Sequence, residues 1–277
     1  MRLSSGSANN YYIYIMNESA RKKFTTEDLQ RYIEDAEQNE NVLGFFMGGS
    51  RGKGFEDAYS DWDLRYVVKI GTKAQFSKQP EENNFEDSEY ADMSTQVFDY
   101  DEFRQHAEWK TAKAWDRYSF SHVTTYTDKT GDIQTLIEEK CKVPADEQLP
   151  LIKKHMDAYV HDLFRSMKAL RRGDALGAQI HATFSVYNLS IALFAVELRT
   201  APYHSYLARE LTAHPLQNFP VTSKELLGLL EKVVFAGNAE NQQQLAKVVE
   251  KYMRGNGHYD YVRWASKYEW LMGYSAK

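Results

Sequence analysis

The sequence predicts an α+β protein whose N-terminal half is a mixed sheet with helices on it and whose C-terminal half is all helical. Three observations carry this. Short apolar or β-branched runs bounded by glycines are confined to the first half. Beyond Pro144 the apolar residues recur at helical spacing instead. At 277 residues the chain also exceeds the usual single-domain size, which favours two domains. The change of pattern divides it into residues 1–145 and 146–277, with the boundary between Cys141 and Leu151.

Thr25 is placed to cap a helix running to about Gln38, because Leu29, Tyr32, Ile33 and Ala36 share one face. The run Val42-Leu43-Gly44-Phe45-Phe46-Met47, closed by Gly48-Gly49, reads as a buried strand ending in a tight turn. A second strand is expected over Asp61 to Val68, closed by Gly71. A third is expected from Met93 to Phe98, after the acidic stretch Glu81 to Asp92. A fourth runs from Ser119 to Tyr126, before the turn-like Asp128-Lys129-Thr130-Gly131. In the second half, Met156, Val160, Leu163, Phe164, Met167 and Leu170 form a helical stripe that stops near Gly173. Ala175 to Leu198 is apolar on most sides and predicts a central buried helix. Thr222 and Glu225 have capping-box spacing before a leucine-rich helix, and two more helices finish the chain.

Composition narrows the class without naming an activity. A hydrophobic share of 43% and a charged share of 26% are those of an ordinary globular protein. No apolar run reaches the roughly 20 residues a spanning helix needs, and the polar stretch Met1 to Asn10 has no export signal, so the expectation is a cytoplasmic protein without a membrane partner. The single Cys141 excludes an internal disulfide and any multi-cysteine metal site. A net charge of -5 argues against a general nucleic-acid binder and mildly for cationic or neutral small substrates.

Asp61 and Asp63 stand two apart on a predicted strand, so both carboxylates project from one face of the sheet. Such a pair repels unless a cation sits between its members, and hard oxygen ligands of this kind suit magnesium. Ser50 lies eleven positions upstream of Asp61, in Gly48-Gly49-Ser50-Arg51 directly after the first strand. Glycines there let backbone N–H groups approach phosphate oxygens, and a serine hydroxyl adds a donor without bulk. Either piece alone is common. Their order, strand, Gly-Gly-Ser, loop, then strand with D-x-D, is far more specific.

This arrangement resembles the signature of the polymerase-beta-type nucleotidyltransferase superfamily. Gly49-Ser50-Arg51 followed by Asp61-Trp62-Asp63-Leu64, a strand ending in Asp101-Glu102-Phe103 and a helical second half are similar to the aminoglycoside 6-adenylyltransferase (streptomycin adenylyltransferase) group. The resemblance implies a polymerase-beta-like N-terminal domain that binds ATP and magnesium and moves AMP onto a hydroxyl of a small acceptor, held by the helical domain. By the same resemblance Gly49 and Ser50 contact the nucleotide phosphates, and Asp61 and Asp63 hold metal; Arg51 and Lys53 are each a phosphate partner or an exposed loop cation. The family pattern has a third carboxylate early on the next strand, where this sequence has Ser94. Asp92, two residues earlier, is the substitute catalytic candidate, and Asp99 a weaker one.

Other readings stay open at this point. A chain lacking the third carboxylate is expected to bind nucleotide and catalyse slowly or not at all, as a regulator of the same fold. A third reading has it adenylylate a protein. His155 and His161 lie six apart, not at the spacing of two ligands on one helical face. The run Glu81 to Asp92 is either a solvated loop or an attractor for a polycationic acceptor. Asp157, Asp162 and Arg165 are candidates to face the cleft, and Tyr187 and Tyr203 to stack on a base or sugar. Glu197 sits in an apolar stretch, where it must be paired or line a pocket.

Overall fold

The computed structural model describes residues 24–76, 93–258, 260 and 265–275. Helix α1, Thr26–Gln38, begins at a complete capping box between Thr25 and Asp28. It leads into β1, Val42–Met47, which pairs antiparallel with β2, Trp62–Val68, across the one-turn helix α2, Gly49–Gly52. Strand β3, Met93–Asp99, lies parallel to β2, and β4, Thr125–Asp128, closes the other side of β1. The mixed sheet therefore runs β3-β2-β1-β4.

Alternation along the strands sends their side chains to two separate cores. Phe45, Leu64, Tyr66, Val68 and Val97 pack with Leu29 and Ala36 of α1 on one face. Phe46, Val67 and Phe98 pack on the other face with Phe103, Phe120, Ile133 and Ile137. The last two belong to α4, Ile133–Lys140, a short helix that the sequence pattern does not announce.

Two expectations for this half are corrected. The third strand ends at Asp99 and the chain turns at once into α3, Tyr100–Gln105, so Asp101-Glu102-Phe103 is helical. Residues Ala114–Phe120 form a 3-10 coil, and β4 starts only at Thr125. The carbonyls of Tyr118, Ser119 and Ser121 accept hydrogen bonds from the Lys53 ammonium, at 3.0, 3.0 and 2.7 Å, so they are not available to a strand ladder.

From Ala145 onward the described elements are helical. Helix α5, Ala145–Arg171, and α6, Ala175–Val196, pack side by side. With α7, Leu207–Ala213, α8, Ser223–Ala236, α9, Ala239–Gly255, and the helix Ala265–Gly273 they surround a third core that includes Met156, Tyr159, Leu193, Leu230 and Val249. The capping box at Thr222 and Glu225 is present. Helix α6 is less enclosed than its composition suggests: Leu176, Ile180, Phe184 and Tyr187 form an exposed apolar stripe. Among the described helices it alone has the length and apolarity to cross a membrane, with 56% of that window buried inside the protein.

Candidate active site

The site forms where β1 gives way to α2. Gly48 N–H donates to the Asp63 carbonyl at 2.7 Å, which ties the turn to the start of β2. Gly49 follows in the left-handed region at φ +57, and a Cβ built on it would overlap Asp63 Oδ2. Only glycine gives both the backbone angle and the space. The Gly-Gly-Ser turn and the D-x-D segment, distant in sequence, are therefore in van der Waals contact, with Ser50 buried beside them at 7% exposure.

Asp63 is fixed from the other side as well. The parallel register places Ser94 directly opposite it, and Ser94 Oγ donates to Asp63 Oδ1 at 2.8 Å. Asp61 stands one residue before β2 rather than within it. Its burial, and then the neighbouring charge of Asp63, push the Asp61 carboxyl above the ordinary carboxylate range. A cation shared by the two would relieve that repulsion. Among the described residues there is no group of three or more His, Cys, Asp or Glu placed to hold a metal ion. A two-carboxylate set nonetheless fits magnesium, which takes one or two protein carboxylates and completes its shell with phosphate oxygens and water. Asp92, the third carboxylate expected from the sequence, lies outside the described residues, as does the acidic run that precedes it. Asp99 ends β3, five positions beyond Ser94.

The cations near the turn have other work than the sequence suggested. Arg51 donates from Nε to the Asp61 carbonyl and from Nη2 to the Ser60 carbonyl, both at 3.0 Å, and its guanidinium lies 4.1 Å over the Trp62 ring. It braces the loop that delivers Asp61. Lys53, read as a phosphate partner or an exposed loop cation, is only 6% exposed, with its ammonium directed at three carbonyls. Burial, and then the charge of Arg65, push it down to about 7. Arg65 itself went unremarked in the sequence. It shares the sheet face of Asp63, its Nε lies 2.8 Å from where a Cβ on Gly48 would stand, and Nη1 donates to Ser119 Oγ at 3.0 Å.

Tyr206 is the second residue that sequence reasoning missed. It arrives from the 3-10 turn His204–Tyr206 of the helical half and has the Ser50 hydroxyl as a polar neighbour. Burial, then the charges of Asp63 and Asp61, push its phenol up. Nothing in the sequence around it marks this position. The pairing is made entirely by the way the segment after α6 folds back, with Arg209 bonded to the Phe55 carbonyl and, at 2.5 Å, to Asp57 Oδ2.

The charged candidates of the helical half pair within that half. Asp157 pairs with Lys153, Asp162 with His181 and Asn188, and Arg165 contacts His161. Glu197 resolves as a paired group, accepting from Arg199 at 3.1 Å and from the Tyr252 hydroxyl at 3.1 Å.

No family model matches the sequence, and no curated protein matches it. Among solved structures the chain is similar to a nucleotidyltransferase-like protein from Exiguobacterium sibiricum 255-15, with a TM-score of 0.37 and 12% identity, covering 88% of this chain and 85% of that one. A likeness of that size carries no argument about activity.

Proposed function

We propose that the protein is a magnesium-dependent nucleotidyltransferase that moves AMP from ATP onto a hydroxyl of a small acceptor, with residues 1–145 handling the nucleotide and 146–277 helping to hold the acceptor. The observation that carries this is the contact of Asp63 with Gly49. It joins a glycine turn to a pair of carboxylates, a juxtaposition that a solvated edge strand or an ordinary hairpin has no need of. An aminoglycoside is the acceptor suggested by resemblance alone.

In this reading Gly49 and Ser50 approach the nucleotide phosphates, and Asp61 and Asp63 hold magnesium, which when bound would draw charge off the phosphate oxygens. The protein's own part is positioning. Ser94 fixes the rotamer of Asp63 by hydrogen bonding, Arg51 holds the backbone at Asp61, and Arg65 adds positive charge on the same face. Tyr206 sets a phenol beside Ser50 and both carboxylates, where it limits water and offers a donor to an incoming oxygen. Asp92 is the candidate base for the acceptor hydroxyl.

A second reading, a nucleotide-binding regulator with little turnover, is favoured by one observation. The residue opposite Asp63 is Ser94, which has no carboxylate to offer a second metal or a base. Titration of ATP with magnesium, together with pyrophosphate release across an acceptor panel, separates the two. The transferase requires turnover that falls about a hundredfold or more in Asp61→Asn, the scale of losing one transition-state charge contact. Turnover unchanged in that variant would sink the transferase reading. Tight ATP binding without release for any acceptor would leave the regulator.

A further inference from the structure

The described residues also carry an aromatic surface apart from the aspartate pair. It lines a cleft of about 740 Å³ between the 109–118 segment, α5, α6 and the 200–204 segment, a size within the range of small-molecule sites. Trp115, 71% exposed, and Tyr187, 43% exposed, stand on its walls with Trp109 and Tyr203. Exposed tryptophan and tyrosine at the mouth of a concavity leave apolar area wet that a flat ring would cover. The Trp115 and Tyr203 rings lie 6.4 Å apart at 42°, forming one continuous wall rather than a closed stack.

The charge of the cleft runs against the charge of the whole chain. Its lining holds Lys110, Arg117 and Lys154 against the single carboxylate Glu147, which Lys110 pairs with. Arg117 is buried beneath the wall, 5.4 Å from the Trp109 ring centre. It donates to the carbonyls of Ala107, Glu139 and Lys142, and its Nε has no hydrogen-bond partner. These partners are backbone carbonyls, none a carboxylate, so Arg117 keeps its positive charge beneath the cleft. Lys154 is exposed at the rim, with no ion-pair partner among the described residues. His155 adds no positive charge at neutral pH, because burial pushes its pKa down.

We propose that this cleft is a binding site for a small planar aromatic acid, its ring against the Trp115–Tyr203 wall and its anionic group toward Lys154 and the Arg117 charge. The site lies beyond the aspartate pair, separated from it by the aromatic layer in which Tyr203 and Tyr118 meet Tyr206 at 6.4 and 6.1 Å. It goes beyond the transferase reading and stands without it. A polycationic ligand, the kind an aminoglycoside would be, is disfavoured here by the same surplus of positive charge.

Calorimetric titration of the full chain with 2-naphthoate, neutral 2-naphthamide and cationic 2-naphthylmethylamine tests the assignment. The expected order places naphthoate about tenfold or more tighter than the amine, a difference of about 1.4 kcal/mol. Lys154→Glu should weaken naphthoate several-fold without weakening the amine, and Trp115→Ala should weaken all three. Both residues are exposed, so the thermal melt should not move. Comparison with 2-naphthyl phosphate and AMP then tells which acid group the site prefers. An amine that binds as tightly as naphthoate, affinity indifferent to both substitutions, or no saturable binding would each overturn the proposal. So would loss of naphthoate binding in Asp61→Asn, since that would place the probe at the aspartate pair. Failure of ATP-dependent turnover leaves it untouched.

Discussion

Gly49 is where backbone conformation and site chemistry meet most directly. A left-handed φ of +57 costs a residue with a side chain about 1 to 3 kcal/mol, and the added methyl of Gly49→Ala would in addition drive Asp63 from its place. We expect ATP with magnesium to bind at least about tenfold more weakly to this variant, with a loss of about 1 to 3 kcal/mol in denaturant unfolding. Unchanged affinity would mean that the contact between turn and carboxylate is not part of the binding site. The need for glycine here was legible, because a tight turn after an apolar strand has few other solutions. The roles of Arg51 and Lys53 were not. A cation beside a glycine turn reads as a phosphate partner, but the carbonyls that engage Lys53 lie 65 to 68 residues along the chain, and no local pattern announces them.

At the scale of elements, the parallel pairing of β2 with β3 decides what chemistry the site can support, because it sets Ser94 rather than an acid opposite Asp63. Ser94→Asp is therefore an informative change. Without metal, a third carboxylate facing Asp63 and Asp61 should lower stability by about 1 kcal/mol through like-charge repulsion. With magnesium the penalty should reverse, so that the rise in melting temperature on adding the ion is larger than for the unaltered protein. A magnesium response no larger than that of the unaltered chain would show that position 94 does not reach the ion. The strands that frame this pair were readable from short apolar runs between turn residues, and α1 from its cap and stripe. The segment 114–120 was not. Its tyrosine and phenylalanine favour strands intrinsically, but Tyr118, Ser119 and Phe120 are buried and Lys53 takes the carbonyls of Tyr118 and Ser119, a tertiary demand that overrides propensity.

Across the whole molecule, the division between sheet and helices was visible in the switch from short apolar runs bounded by glycines to apolar residues at helical spacing, whereas the way the halves hold each other was not. The connection centres on Glu210 of α7, 2% exposed. It accepts from the Tyr118 hydroxyl at 2.8 Å, from His122 Nε2 at 3.0 Å and from Arg199 at 2.5 Å, while the His122 and His214 rings stack 3.7 Å apart. The partners Tyr118 and His122 stand 92 and 88 residues before it, so the sequence offered only one glutamate among many. Burial alone would raise the carboxyl of Glu210, but hydrogen bonds from His122, Tyr118 and Arg199 outweigh it and hold the group down at about 2, against an ordinary 4.5. A carboxyl depressed by folding contributes stability that is complete above its unfolded pKa and is lost as pH falls through the folded one. The contribution of Glu210 should therefore decline between about pH 4.5 and about pH 2. Glu210→Gln removes one of the two carboxylates that pair with Arg199, leaving Glu197, and should cost about 1 to 3 kcal/mol at neutral pH in urea unfolding. The gap between the variant and the unaltered protein should then narrow steadily as pH drops through that window, because protonation removes in one chain what substitution has already removed in the other. A gap that stays constant down to about pH 2 would mean that the ionised carboxylate is not what joins the two halves.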